Sequence, residues 1–221
     1  MDYPIQDYIE WQDDFVGGAT IAATVGEGNW KITDTSSAGT PTYVKSTTEH
    51  GGVFVMSFDA TNEIQNICLD FGNVLQFDID QLVYVQFRIK TVAALTAANT
   101  LTFGLQSNRN DDTDATTNNA QFKLAGSSSV VCETDDNVLD LDDKATGQTL
   151  TNSYKLFEIN FAKGKSDVRF FIDRTPVATT TTFSMANATA SLQPFVQLQK
   201  TASTNTDSVS IDFVKVFCRR V

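Results

Sequence analysis

Val83-Tyr84-Val85-Gln86-Phe87-Arg88-Ile89-Lys90 decides the fold class. Apolar and polar residues alternate without a break, so Val83, Val85, Phe87 and Ile89 share one face and Tyr84, Gln86, Arg88 and Lys90 the other. Period two is the signature of a half-buried β-strand. The same alternation recurs in Leu101/Phe103/Leu105, Phe157/Ile159/Phe161, Val168/Phe170/Ile172 and Leu192/Val196/Leu198, with Pro194 in phase. Further strands are expected at 29–33, 42–47, 52–58, 64–71, 120–124, 129–133 and 208–217. The last changes phase: Val209, Ile211 and Phe213 face one way, Val214, Val216 and Cys218 the other, which predicts a bulge or burial on both faces.

Composition agrees with this reading. The 221 residues include 29 threonines and 16 phenylalanines but only 6 glutamates and 10 lysines, a supply suited to strands and poor for exposed helices. Turn residues at Gly51-Gly52, Gly72-Asn73, Asn108-Arg109-Asn110, Gly147, Gly164 and Asn205 punctuate the strands. An all-β fold of antiparallel sheets, closed as a two-sheet sandwich or a barrel, follows. Segments 108–119 and 134–153 read as long polar loops, and Thr179-Thr180-Thr181-Thr182 as an edge strand or extended loop. Residues 1–13 precede the first clear strand and carry Tyr3, Tyr8 and Trp11, aromatic side chains suited to docking on their own domain or on a neighbour.

Charge and residue supply exclude several function classes. A net charge of -11 repels phosphate backbones and argues against nucleic acid. No apolar run reaches the roughly 18–20 residues of a membrane helix, and Met1-Asp2-Tyr3-Pro4 lacks the pattern of a signal peptide, so no membrane partner is expected. Cys68, Cys132 and Cys218 are odd in number and fit reduced thiols, Cys68 as a small buried hydrophobe. Nucleophilic catalysis would rest on His50, which lies in the turn Thr48-Glu49-His50-Gly51-Gly52 without a recognisable partner. The glycines of 16–19 and 25–29 match no phosphate-binding fingerprint. Asn187-Ala188-Thr189 is a glycosylation sequon read as coincidental.

Carboxylates are the plentiful reactive group. Glycoside hydrolysis needs two across one sugar bond, and Glu133-Thr134-Asp135 is the nearest approach, continuing as Asp136-Asn137-Val138 with no third acid on that face. No enzymatic activity is expected. Calcium takes clustered oxygen ligands, for which Asp111, Asp112 and Asp114 are weak candidates, with Asp135, Asp136, Asp140, Asp142 and Asp143 as a second group and Asp78-Ile79-Asp80 a third. Neither larger cluster has EF-hand spacing, so solvated acidic loops without a cofactor are the simpler expectation.

Tyr154-Lys155-Leu156-Phe157-Glu158-Ile159-Asn160-Phe161, followed by Asp167-Val168-Arg169-Phe170-Phe171-Ile172-Asp173-Arg174-Thr175-Pro176, resembles a hairpin of concanavalin-like jelly rolls of the lectin/glucanase type, with Arg174 where that pattern has glycine. Leu192–Leu198 and Ser210–Val216 resemble the last two strands of the same fold. Trp11-Gln12-Asp13-Asp14-Phe15 and Gly28-Asn29-Trp30-Lys31-Ile32 resemble the opening of jelly-roll proteins on tailed-phage virions. The resemblance implies an N-terminal arm over 1–13 and one jelly-roll domain over 14–221. It also implies a capsid decoration (cement) protein, made in the host cytoplasm and placed on the virion exterior. Such a protein would bridge subunits of the major capsid protein as a homo-oligomer, with Tyr3, Tyr8 and Trp11 as contacts. The alternative is a carbohydrate-binding lectin-like module on a phage fibre or cell surface, to which Phe171, Phe195 and the acidic loops would contribute.

Overall fold

The computed structural model describes residues 7–16, 30–74 and 77–220. Its strands are β1 (Tyr8–Asp13), β2 (Lys31–Asp34), β3 (Thr42–Lys45), β4 (Phe54–Ser57), β5 (Glu63–Asp70), β6 (Leu82–Thr91), β7 (Asn99–Gln106) and β8 (Asn119–Ala125). Then follow β9 (Ser129–Asp135), β10 (Asp140–Thr149), β11 (Lys155–Asn160), β12 (Arg169–Ile172), β13 (Thr175–Val177), β14 (Gln193–Ser203) and β15 (Ser208–Arg219). One sheet runs β13-β12-β11-β6-β15-β4-β3, with β1 also on β15; the second runs β10-β9-β8-β7-β14-β5-β2. Every named pair is antiparallel, and neighbours such as β6/β15 and β7/β14 are distant in sequence, as in a jelly roll. Among the described residues no helix is long and apolar enough to cross a membrane.

Phenylalanines join the two sheets. Phe87 of β6 meets Phe103 of β7 at 5.7 Å between ring centroids, Phe103 meets Phe157 of β11 at 4.9 Å, and Phe122 of β8 meets Phe157 at 5.0 Å and Phe170 of β12 at 5.1 Å. All five rings are fully buried, and each buried ring contributes on the order of 2 kcal/mol. The phase change in β15 is a bulge: the register on β6 shifts between Ile211 and Phe213, skipping Asp212. Val209 and Ile211 before it, and Val214 and Val216 after it, therefore all enter the core.

Several segments sharpen the sequence reading or depart from it. The arm expected at 1–13 is, from Tyr8 to Asp13, strand β1 of the sandwich itself, antiparallel to β15 with Trp11 opposite Val216. Trp11 packs against Trp30 at 5.5 Å and Phe71 at 5.1 Å, and Asp13 accepts from Trp30 Nε1 at 3.0 Å. The polar stretch expected as a loop at 134–153 contains β10, an edge strand with only Thr146 buried, so no apolar alternation marked it. At Asp173-Arg174 the chain turns between β12 and β13 with both φ values positive, 50° and 65°, as a two-residue hairpin turn requires. The threonine tract at 179–182 falls in a turn outside the strands.

Candidate functional site

The face of the second sheet turned away from the core is built from alternate residues of five strands. On β14, Pro194, Val196 and Leu198 point inward, which turns Gln193, Phe195, Gln197 and Gln199 the other way. In register beside them stand Asn66, Cys68 and Asp70 on β5, Thr100, Thr102, Gly104 and Gln106 on β7, and Asn119, Gln121 and Lys123 on β8. Glu133 on β9 lies opposite Gln121. Gly104 is needed where β7 and β8 approach, because a Cβ there would stand 2.3 Å from the Ala120 carbonyl oxygen.

An outward sheet face with this much glutamine and asparagine would ordinarily be wet. Here it is buried, because residues 107–118, which connect β7 to β8, fold back across it. Asn66 Nδ2 donates to Asp111 at 2.6 Å, Gln197 Nε2 donates to the Asn110 and Asp111 carbonyls at 3.1 Å, and Thr35 donates to Asp111 at 2.9 Å. Lys123 Nζ donates to both Asp114 oxygens at 2.9 Å and lies 3.3 Å from Asp143. Burial favours neutral Lys123, but the Asp114 hydrogen bonds and the charges of Glu133, Asp114 and Asp143 hold its pKa well above the ordinary value.

Burial pushes Glu133 up to about 7, against its hydrogen bond from Gln121 and the charge of Lys123 at 3.9 Å. Burial also raises Asp70 and, in the same direction, the Cys68 thiol, which stands 3.6 Å from it. Desolvation and then Asp142 push Asp140, across from Asp135, up to about 6. Several buried atoms on this face find no hydrogen-bond partner among the described residues: both amide atoms of Gln106, and one oxygen each of Asn66, Asn119, Gln121, Glu133 and Gln197. Beyond the covering segment the face opens into a groove of about 270 Å³ lined by Thr35, Asn66, Thr100, Asp111, Gln199 and Thr201.

The structure scatters the residues singled out in sequence. Asp111 binds Asn66 and pairs with Arg109, Asp112 caps its own turn by accepting from Asp114 N at 3.2 Å, and Asp114 holds Lys123. Asp136 accepts from the backbone of Val138, Leu139 and Asn187. Among the described residues no three His, Cys, Asp or Glu side chains form a metal-holding group. Tyr8 is 46% exposed and stacks on Phe217, Trp11 is built into the aromatic cluster, and Tyr3 lies outside the described residues. Phe195, expected as an exposed sugar contact, is fully buried under the covering segment, and Phe171 lies half-buried on the other sheet. Cys68 is buried as expected, but on the outer face rather than in the core. His50 is exposed in its turn, and the sequon amide of Asn187 donates to Asp136 at 3.0 Å. The amide-rich face was missed; its signal was glutamine or asparagine at the outward positions of β5, β7, β8 and β14.

No family model and no curated protein matches the sequence. Solved structures do match along nearly the whole chain. The β-glucanase of Bacillus licheniformis superposes with a TM-score of 0.63 at 13% identity, covering 94% of this chain and 97% of that one. The carbohydrate recognition domain of Emp47p gives 0.59 at 14% identity, with 91% and 93% covered. The fold is a concanavalin-like jelly roll. The Crh5 transglycosylase also matches, at 0.54 and 11% identity over 96% and 84%. At these identities the likeness establishes the fold alone, shared by lectin domains and enzymes. It nevertheless overturns the expectation that the chain is not an enzyme, because that expectation rested on missing motifs, whereas the whole fold is one on which glucanases and a transglycosylase are built.

Proposed function

We propose that the protein is a carbohydrate-binding, lectin-like module whose ligand sits in the groove at the open end of the amide-rich face. The carrying observation is Asn66: it lines the groove, is buried, and has a carbonyl oxygen without a partner among the described residues, beside Gln199, Thr100 and Thr35. Fixed side-chain amides and hydroxyls that both donate and accept match the hydroxyl pattern of a sugar. The likeness to a carbohydrate recognition domain, that of Emp47p, and to a β-glucanase supports the same class. A glycan array followed by titration calorimetry tests it. Binding by the wild type, weakened about thirtyfold by Asn66→Ala with Gln199→Ala, is expected, two neutral hydrogen bonds at about 1 kcal/mol each. No binding on a broad array removes the proposal.

A second reading, glycoside hydrolysis on the same face, is favoured by Glu133, which burial pushes up to about 7, so that a large share carries a proton near neutral pH, two residues from Asp135 on one strand face. Such spacing places the two residues about 7 Å apart. Release of reducing sugar, lost in Glu133→Gln, distinguishes hydrolysis from binding alone. The decoration-protein reading has less support: one of its contacts, Trp11, is engaged within the fold, and the comparisons carry nothing about a capsid.

A further inference from the structure

We propose that residues 107–118 are a displaceable lid that gates the inner part of the amide-rich face, so that a glycan longer than the open groove reaches Gln106, Asn119 and Gln121 only when this segment lifts. The proposal rests on the carbohydrate reading and adds its regulation.

The first support is the chemistry of the lid. Its sequence, Ser107-Asn108-Arg109-Asn110-Asp111-Asp112-Thr113-Asp114-Ala115-Thr116-Thr117-Asn118, contains one apolar side chain, Ala115, which is exposed. Everything that holds it down is polar: Asp111 on Asn66 and Thr35, its carbonyl on Gln197, Asp114 on Lys123, the Arg109 N–H on Asn73 at 2.8 Å, and Thr113 beside Thr102 at 3.4 Å. Water competes for each of these bonds, and the lid itself brings no large apolar side chain to the contact, so the apolar burial on closure is confined to Phe195 and Cys68 of the floor, far less than fixes the sandwich.

The second support is the floor. Gln106 is fully buried with neither amide atom hydrogen-bonded among the described residues, and Asn119 and Gln121 each keep an oxygen without a hydrogen bond. Closure leaves these groups short of hydrogen bonds, whereas lifting lets water or sugar hydroxyls supply them. The lid is joined to β7 and β8, whose last pair is Gln106 with Asn119, so it can move as a unit without disturbing the ladder.

Cys68 reports on the lid without any sugar. It lies on the covered face near the lid residues Arg109 and Asp111, whereas Cys132 belongs to the core between the sheets. The test is the rate at which a thiol reagent modifies each cysteine in the native full chain, read by peptide mass spectrometry. A lid predicts that Cys68 reacts at least tenfold faster than Cys132, and that Asp111→Ala, which removes the bonds to Asn66 and Thr35, speeds Cys68 about fivefold more while Cys132 is unchanged. Equal rates for Cys68 and Cys132 in the wild type would overturn the lid, whether or not the variant folds. Because the readout needs no ligand, a lid that fails here leaves glycan binding standing, and an array without hits removes the glycan but not the opening of 107–118, which the thiol rates read on their own.

Discussion

Replacing Glu133 by glutamine should convert a pH-dependent penalty into a constant. Glu133 is buried on the covered face, and its pKa stands at about 7 against an ordinary 4.5. The folded state therefore holds this proton more tightly than the unfolded state does. The stability it contributes is complete below pH 4.5, falls as pH rises towards 7, and is gone above that. At ~1.36 kcal/mol per pH unit, the interval from 4.5 to about 7 corresponds to about 3 kcal/mol. The substituted amide keeps an oxygen to accept from Gln121 and has no charge to desolvate. Urea denaturation of both proteins at pH 4.5 and pH 8 should show the variant gaining about 3 kcal/mol on the wild type between the two values. Asp70, Asp135 and Asp140 titrate in both proteins and cancel in the difference. An identical stability difference at the two pH values would refute the burial argument for this carboxylate.

Lys200 is buried with its ammonium directed at the carbonyls of Asp59, Thr61, Ser203 and Asn205, at 2.6 to 3.3 Å. Lys200→Met leaves these oxygens unserved and should cost about 3 kcal/mol by denaturant titration. Arg174, exposed at φ 65° in the β12–β13 turn, is strained for a residue with a Cβ, and Arg174→Gly should raise stability by about 1 kcal/mol in the same assay. Gly104→Ala drives a methyl into the backbone of β8 and should cost about 2 kcal/mol, seen as a lower thermal midpoint.

The sandwich was legible because its core strands alternate cleanly: Val85, Phe87 and Ile89 on β6, or Phe157 and Ile159 on β11, have a single face that can be buried. β10 was not, because Asp140–Thr149 is polar on both faces and its place beside β9 comes from backbone pairing. β1 was taken for an arm because six residues with a half-exposed Ile9 carry too short a pattern to show that Trp11 turns inward. Segment 108–119 was legible as a loop, but its fold-back over the sheet depends on partners such as Asn66 and Lys123 that only the folded chain brings within reach. The same contacts explain why Asp111, Asp112 and Asp114, adjacent in sequence, end on three different partners instead of around one ion.

Carbohydrate binding by the face and groove around Asn66 and Gln199 is the proposal on which the others rest. Its most direct measurement is a titration of the isotope-labelled protein with an oligosaccharide that scores on the array, following side-chain amide resonances. Shifts are expected at Asn66 and Gln199 first, then at Gln106, Asn119 and Gln121 as the chain lengthens. Shifts confined to the opposite sheet, around Tyr84 and Phe217, would contradict it.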